Sequence, residues 1–333
     1  MRKRVLLVGG TLNQTTIVHQ IGEHLRGCEV RYSPHYVDGY LDWLARRGFL
    51  DFTPMAGQSR QKTETYLRKH RLPVDYRGES LDYDLFVTTV DLALPRNFQG
   101  KKVILVQEGM TDPEGWRYRL TRTLGLPRFC GGTSMTGMSD AYSDFCVMSE
   151  GYRDLFIRKG VDPSKIRVTG IPNFDHAASF LDNDFPHRGY VLAATSCLRE
   201  TLKYEDRKGF IQKARRIAAG RQLIFKLHPN ENIPRATREI QESAPEALVY
   251  PDGNTDHMIA NCDVLVTKYS SVVYVAVALG KEIHSDLDPE TLRRLAPIQN
   301  GGTAGRRIAE LCLRRLEESP LEEGEAEEAD VAA

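Results

Sequence analysis

The chain is 333 residues long and balances 45 Lys and Arg against 45 Asp and Glu, so its formal charge is zero with 27% of residues charged. It is long enough for two domains with separate cores, and a neutral chain lacks the broad basic field that would make nucleic acid a leading partner. The six cysteines (Cys28, Cys130, Cys146, Cys197, Cys262 and Cys312) are scattered without a C-x-x-C pair, which excludes a disulfide frame or zinc site and reads as small buried residues in a reducing compartment.

Met1-Arg2-Lys3-Arg4 leads straight into the apolar residues 5–8, too short a run for a signal sequence, so the reading is a first strand and a cytoplasmic protein. No run approaches the roughly 20 apolar residues that span a bilayer. After Gly9-Gly10-Thr11 the pattern predicts a helix from about 15 to 26, a strand at 29–32, and an interrupted helical stretch over 41–70. Strands follow at 85–89, 103–106 and 145–148, then a helix at 150–159 and a strand at 166–169. That strand ends in Gly170-Ile171-Pro172-Asn173, a turn placed at the approach to a hinge, and residues 174–188 read as a polar linker.

A second series then begins: a strand at 190–194, a helix near 205–219, a strand over 222–227 ending at His228, a helix near 234–242 and a short strand at 247–250. Residues 263–267 form a last apolar strand, followed by Tyr269-Ser270-Ser271 and a helical run over 272–279. From Glu317 onward the chain is acidic and nearly free of large apolar residues, hence a disordered tail over 317–333. The alternation predicts an α/β protein of parallel βαβ units. Two Rossmann-like domains, 1–178 and 186–316, would face each other across a cleft as in the GT-B architecture, although paired doubly wound domains also occur in dehydrogenases and binding proteins.

Open α/β sheets bind ligands at the carboxyl ends of their strands, and a helix N-terminus offers unpaired N–H groups to an anion. His228 at one strand end and Ser270-Ser271 capping a helix on a neighbouring strand would together hold a nucleotide's phosphate and protonate it as it leaves. Singly, such a His is more often structural and such a Ser pair only a cap. Thr195, Ser196 and Arg199 would add phosphate contacts, and Lys226 or Lys268 positive charge unless they snorkel to solvent.

In the first half, Gly9-Gly10-Thr11-Leu12-Asn13 lacks the full G-x-G-x-x-G spacing and the Lys of a P-loop, so a nicotinamide site is not supported. The glycines either let a substrate approach the backbone beside Asn13 and Thr15 or merely make the turn. Gln107-Glu108-Gly109 follows an apolar strand, which suits Glu108 as general base for an acceptor hydroxyl, or as a helix cap or Arg partner. No D-x-D or His/Asp cluster calls for a metal, and no cofactor is called for. Trp116-Arg117-Tyr118-Arg119-Leu120-Thr121-Arg122, continuing to Arg128-Phe129, interleaves basic and aromatic groups. It reads as a face for anionic lipid headgroups near a lipid-linked acceptor, or as an ordinary surface helix or loop. His19, His35, His176, His257 and His284 show no ligand spacing, although His19 and His35 lie near the ends of first-half elements.

The acidic-Gly motif, His228-Pro229 and Ser270-Ser271 resemble the three signatures of bacterial polysialyltransferases and related capsule sialyltransferases. Similar His-Pro and Ser-Ser pieces occur in capsule Kdo transferases and CDP-glycerol glycerophosphotransferases, all of GT-B type. The resemblance implies Glu108 as general base, His228 at the donor phosphate, and Ser270 with Ser271 binding that phosphate. The stretch 168–175 is also similar to the interdomain turn of the glycerophosphotransferases and of UDP-GlcNAc 2-epimerases. Gln107 replaces the first acid of the polysialyltransferase signature, and apolar or aromatic residues near Tyr274 and Val275 replace the epimerase acids. The expected function is a metal-independent glycosyltransferase moving a sugar from a CMP-, CDP- or UDP-linked donor to a glycan or lipid-linked hydroxyl acceptor in surface glycan or glycolipid assembly. The alternatives are an epimerase or hydrolase, a glycerophosphotransferase, and a non-catalytic nucleotide-sugar-binding protein.

Overall fold

The computed structural model describes residues 2–51, 53, 55–201 and 204–318. The chain divides into two compact units, 1–147 with 156–173 and 303 onward, and 148–155 with 174–302.

The first unit holds β1 (Arg4–Gly9), α1 (Leu12–Gly22), β2 (Glu29–Pro34), α2 (Gly39–Arg46), α3 (Gly57–Lys69), β3 (Leu85–Thr88), β4 (Lys102–Val106), α4 (Trp116–Thr123), β5 (Asp144–Val147) and β6 (Ile166–Val168). α5 (Glu150–Lys159) starts in the second unit and ends in the first. Six strands form one sheet in the order β2-β1-β3-β4-β5-β6, and every pairing is parallel. Continuous apolar runs such as 5–8, 85–87 and 103–106 are buried, as strands covered on both faces require. Successive strands leave β1 first on one side and then on the other, which puts a topological switch point beside β1 and β3.

The second unit holds β7 (Tyr190–Ala194), α6 (Arg207–Ala218), β8 (Leu223–Lys226), α7 (Ile233–Ser243), β9 (Leu248–Tyr250), α8 (Thr255–Asn261), β10 (Cys262–Val266), α9 (Val273–Ala278), β11 (Glu282–His284) and α10 (Pro289–Leu295). Its five strands are also parallel, in the order β11-β10-β7-β8-β9, with the switch point between β7 and β10. Val191, Ala193, Phe225, Val264 and Val266 pack with Phe210, Ile211, Ala214, Ala236 and Ile240 in its core. α6, α7, α8 and α10 begin on Asp206, Asn232, Asn254 and Asp288, whose side chains accept first-turn N–H groups.

Two expectations change here. The domains are not the contiguous segments 1–178 and 186–316, because α11 (Ala304–Glu317) returns to the first unit and packs on α1. Gly305 permits the approach: a Cβ there would stand 3.1 Å from the Gln20 carbonyl oxygen. The expected linker is also partly built, with Asp175 and Ala177 buried and a short 3₁₀ turn over Ala177–Leu181. Of the expected tail, Glu317 closes α11 and Glu318 follows as its cap, while 319–333 lie outside the described residues. No helix among the described residues is long and apolar enough to cross a membrane.

α11 is tied down by charge as well as packing. The wholly buried Asp144 carboxylate at the start of β5 accepts from Arg315 Nε at 2.6 Å and Nη2 at 3.0 Å, and pairs with Arg167 at 3.1 Å. Arg315→Ala leaves Arg167 as the remaining cation. It is expected to lower the unfolding free energy by about 2 kcal/mol in a urea titration, less than the roughly 3–5 kcal/mol of a fully orphaned buried charge. Arg306→Ala, which breaks an exposed pair with Glu310, should change it by less than about 0.5 kcal/mol.

Candidate functional site

In the first unit the candidate residues meet across the sheet. β4 delivers Gln107 and Glu108, and β1 delivers Gly9, Gly10 and Thr11, with β3 between them. Glu108 Oε2 accepts from Gln14 Nε2 at 2.5 Å, and its Oε1 accepts from Thr11 Oγ1 at 3.1 Å and Asn13 Nδ2 at 3.4 Å. Neutral donors therefore surround this half-buried carboxylate, and among the described residues it makes no ion pair. Gln107 is fully buried and donates to the Gly109 carbonyl, fixing the turn that carries Glu108.

The glycine turn serves the helix. α1 begins at Leu12, not near residue 15, because Thr11 caps it: Thr11 Oγ1 accepts the Gln14 N–H, and Gln14 Oε1 accepts the Thr11 N–H at 2.9 Å. Gln14 Oε1 also takes the Gly10 N–H at 2.8 Å, so those two amides are already occupied. A Cβ on Gly9 would lie 2.8 Å from Thr15 Cα, so the close approach that Gly9 permits is that of α1 itself. Asn13 is in turn held by Asn173, whose Nδ2 donates to Asn13 Oδ1 at 2.5 Å while its Oδ1 accepts from Gln20 at 3.0 Å. The turn over 170–173 thus clamps the start of α1, and the first unit's segment ends at that residue.

In the second unit, His228 stands two residues beyond β8. Its backbone N–H is shared between Thr195 Oγ1 at 3.0 Å and Glu231 Oε2 at 2.9 Å. The Asn230 N–H donates to His228 Nδ1 at 3.2 Å, so the neutral ring carries its proton on Nε2, which lies 3.8 Å from Cys197 Sγ. Glu231 is a buried carboxylate shared among the His228 N–H, the Thr195 hydroxyl and Arg207.

Three expected phosphate contacts are drawn into this support. Thr195 donates to Glu231, and Ser196 donates to Glu205 at 3.1 Å. Arg199 grips Glu239 through both Nη atoms at 2.8 Å and lies 3.5 Å from Glu205. Nearby carboxylates engage all three groups, and Thr195 Oγ1 also accepts the His228 N–H. Lys226 neither snorkels nor reaches outward: it is buried and donates to the carbonyls of Leu227 and Pro251, and desolvation lowers its pKa.

Ser270 and Ser271 follow β10, and β7 separates that strand from β8, so they and His228 are not on neighbouring strands. Nor do their side chains cap α9. The helix starts at Val273 behind Val272, with no side-chain cap, and the Ser270 and Ser271 carbonyls accept from Val273 at 3.3 Å and Tyr274 at 3.0 Å. What fixes this start is burial of residues 273–276 and the Tyr274 hydroxyl bonded to that of Tyr152 at 2.7 Å. Both Ser residues are half-buried, on the β10 side of the switch point.

Away from the strand ends, His19 and His35 are structural. His19 packs edge-on among Tyr32, Tyr66 and His70 and bonds the Tyr66 hydroxyl. His35 is buried, and desolvation pushes its pKa down to about 4, so it stays neutral. Among the described residues no group of three or more His, Cys, Asp or Glu is placed to hold a metal ion.

The sequence matches no protein-family model and no curated protein. Solved structures do match along nearly the whole chain. The S. aureus MnaA–UDP structure is 11% identical, with 96% of this chain and 99% of that chain covered at a TM-score of 0.60. The UDP-GlcNAc 2-epimerase of Neisseria meningitidis bound to UDP-GlcNAc is 14% identical, with 93% and 100% covered at 0.56. The wall teichoic acid polymerase TagF is 11% identical, with 94% and 89% covered at 0.51. The fold is GT-B, with two Rossmann-like domains. At these identities the likeness carries architecture alone.

Sequence reading missed Gln14, Asn173, Glu205, Arg207 and Glu231. Gln14 was legible as the fourth residue of the capping box Thr11-Leu12-Asn13-Gln14, and Glu231 as a carboxylate three residues beyond His228. The arrangement at His228 has a direct spectroscopic consequence. Imidazole ¹⁵N shifts of the neutral ring should report the Nε2–H tautomer; an Nδ1–H tautomer would mean the Asn230 contact does not hold the ring.

Proposed function

We propose that this chain is a GT-B transferase that moves a glycosyl group from a CMP-, CDP- or UDP-linked donor to a hydroxyl of a glycan or lipid-linked acceptor, in surface glycan or glycolipid assembly. The observation that carries the reading is His228, two residues beyond the end of β8, with its backbone N–H held by Thr195 and Glu231 and its Nδ1 accepting the Asn230 N–H. Neighbours of the same fold solved with UDP and with UDP-GlcNAc support a nucleotide-linked donor.

The chemistry asks for two things. The acceptor hydroxyl must lose its proton as its oxygen bonds to the anomeric carbon, and Glu108 is the carboxylate for that proton. Its donor set of Thr11, Asn13 and Gln14 fixes the carboxylate's orientation and adds no competing cation. The bond from the anomeric carbon to the phosphate oxygen breaks with its electron pair on that oxygen. His228 Nε2–H, with the hydroxyls of Ser270 and Ser271, would donate hydrogen bonds to the phosphate as its charge grows. Thr195, Ser196 and Arg199 act one layer back, through Glu231, Glu205 and Glu239.

Glu108→Gln is nearly isosteric, and its amide oxygen can still accept from Gln14 or Thr11. The variant is expected to retain donor binding while turnover with acceptor falls by about 100-fold or more. Near-normal turnover would remove Glu108 from the role of base. Epimerised sugar in a donor-only incubation of the wild type would replace the transferase reading with an epimerase one.

A further inference from the structure

One surface of the first unit takes no part in the site above. α4 buries Tyr118 and Thr121 and turns the opposite side to solvent. On that side Trp116, Leu120 and Leu124 lie one turn apart in a line, exposed to 74%, 44% and 61%. The chain continues past Gly125 into Leu126 and Phe129, also exposed. Large apolar side chains this exposed and this contiguous are uncommon on a soluble surface that meets only water.

The basic residues are arranged around the stripe. At 100° per residue, Arg117 borders one flank and Arg119 the other, with Arg122 beyond it. All three are exposed, and none is ion-paired among the described residues; Arg122 bonds the Tyr118 hydroxyl at 3.0 Å. Arg128 differs, since its Nε donates inward to the Asp91 carbonyl. Two acids lie just before the helix, Asp112 and Glu114, and Asp112 is engaged by Thr133.

We propose that this face docks on an anionic lipid bilayer, with Trp116, Leu120, Leu124, Leu126 and Phe129 inserting at the headgroup level and Arg117, Arg119 and Arg122 meeting lipid phosphates. Charge complementarity decides the occupant. A purely apolar stripe would suit another protein's core face, but unpaired guanidinium groups flanking it need a dense, planar array of anions beside a shallow apolar layer. Trp at the border of such a stripe is the residue type that settles at a membrane–water interface. The inference stands on this face alone and goes beyond the donor chemistry, so either can fail without the other.

The test is flotation of the full chain with vesicles of phosphatidylcholine, alone and mixed with phosphatidylglycerol, at low and high salt. Trp43 and Trp116 are the two tryptophans, so a Trp43→Phe background makes fluorescence report Trp116. Flotation with the mixed vesicles, a blue shift of Trp116 and loss of both at high salt are expected. Leu124→Glu and Arg117→Glu with Arg119→Glu change exposed positions and should each weaken partitioning at least tenfold while leaving nucleotide binding intact. Absence of flotation with anionic vesicles overturns the proposal, as does flotation that the substitutions leave unchanged. Self-association of the lipid-free wild type that Leu124→Glu abolishes would assign the face to a second copy instead.

Discussion

A carboxylate buried beneath the turn that follows a parallel strand must be satisfied on every side, and between β8 and α7 Glu231 imposes that condition on its surroundings. It takes the backbone N–H of His228, the hydroxyl of Thr195 and the guanidinium of Arg207. Removing any of these would leave a charge or a dipole unpaired in a place water does not reach, at a cost of several kcal/mol for a charge. His228 is therefore placed by its main chain before its side chain does anything. Arg207 extends the constraint to Glu205 and Ser196, and Arg199 extends it to Glu239 on α7. The ring at the strand end is the outermost part of a braced layer.

Glu108 sits at the corresponding edge of the first unit's sheet under a different regime. Its partners are the side chains of a helix cap, and it remains half-buried. Glu108 is held by neutral donors and stays half-buried, whereas Glu231 is closed in by a cation and serves as a fixed support. The two carboxylates differ in exposure and in the charge of their partners, the properties that govern what a carboxylate beside a sheet can do.

Much of this was legible in the sequence because strands buried on both faces must be apolar runs. The runs at 5–8, 103–106 and 222–227 therefore marked the strand ends, and Glu108 and His228 with them. What escaped was partnership over distance. Thr195, Ser196 and Arg199 have the side chains of phosphate binders, and nothing local shows that Glu231, Glu205 and Glu239 claim them. The Ser pair before α9 read as a cap because Ser usually is one, but the buried Val273 and Tyr274 set where that helix begins. The return of α11 to the first unit was equally hidden, since its anchors, Asp144 and the Gln20 backbone, lie far away in the chain.

The central claim is that His228 belongs to a nucleotide's phosphate site. Calorimetry of CMP, CDP, UDP, GDP and ADP with the wild type and with His228→Ala, at fixed salt, tests it most directly. Selective binding of one nucleotide, weakened in the variant by roughly tenfold or more as the loss of a charge-assisted hydrogen bond implies, is the expected result. Absence of binding to all five, or equal binding by wild type and variant, would contradict it.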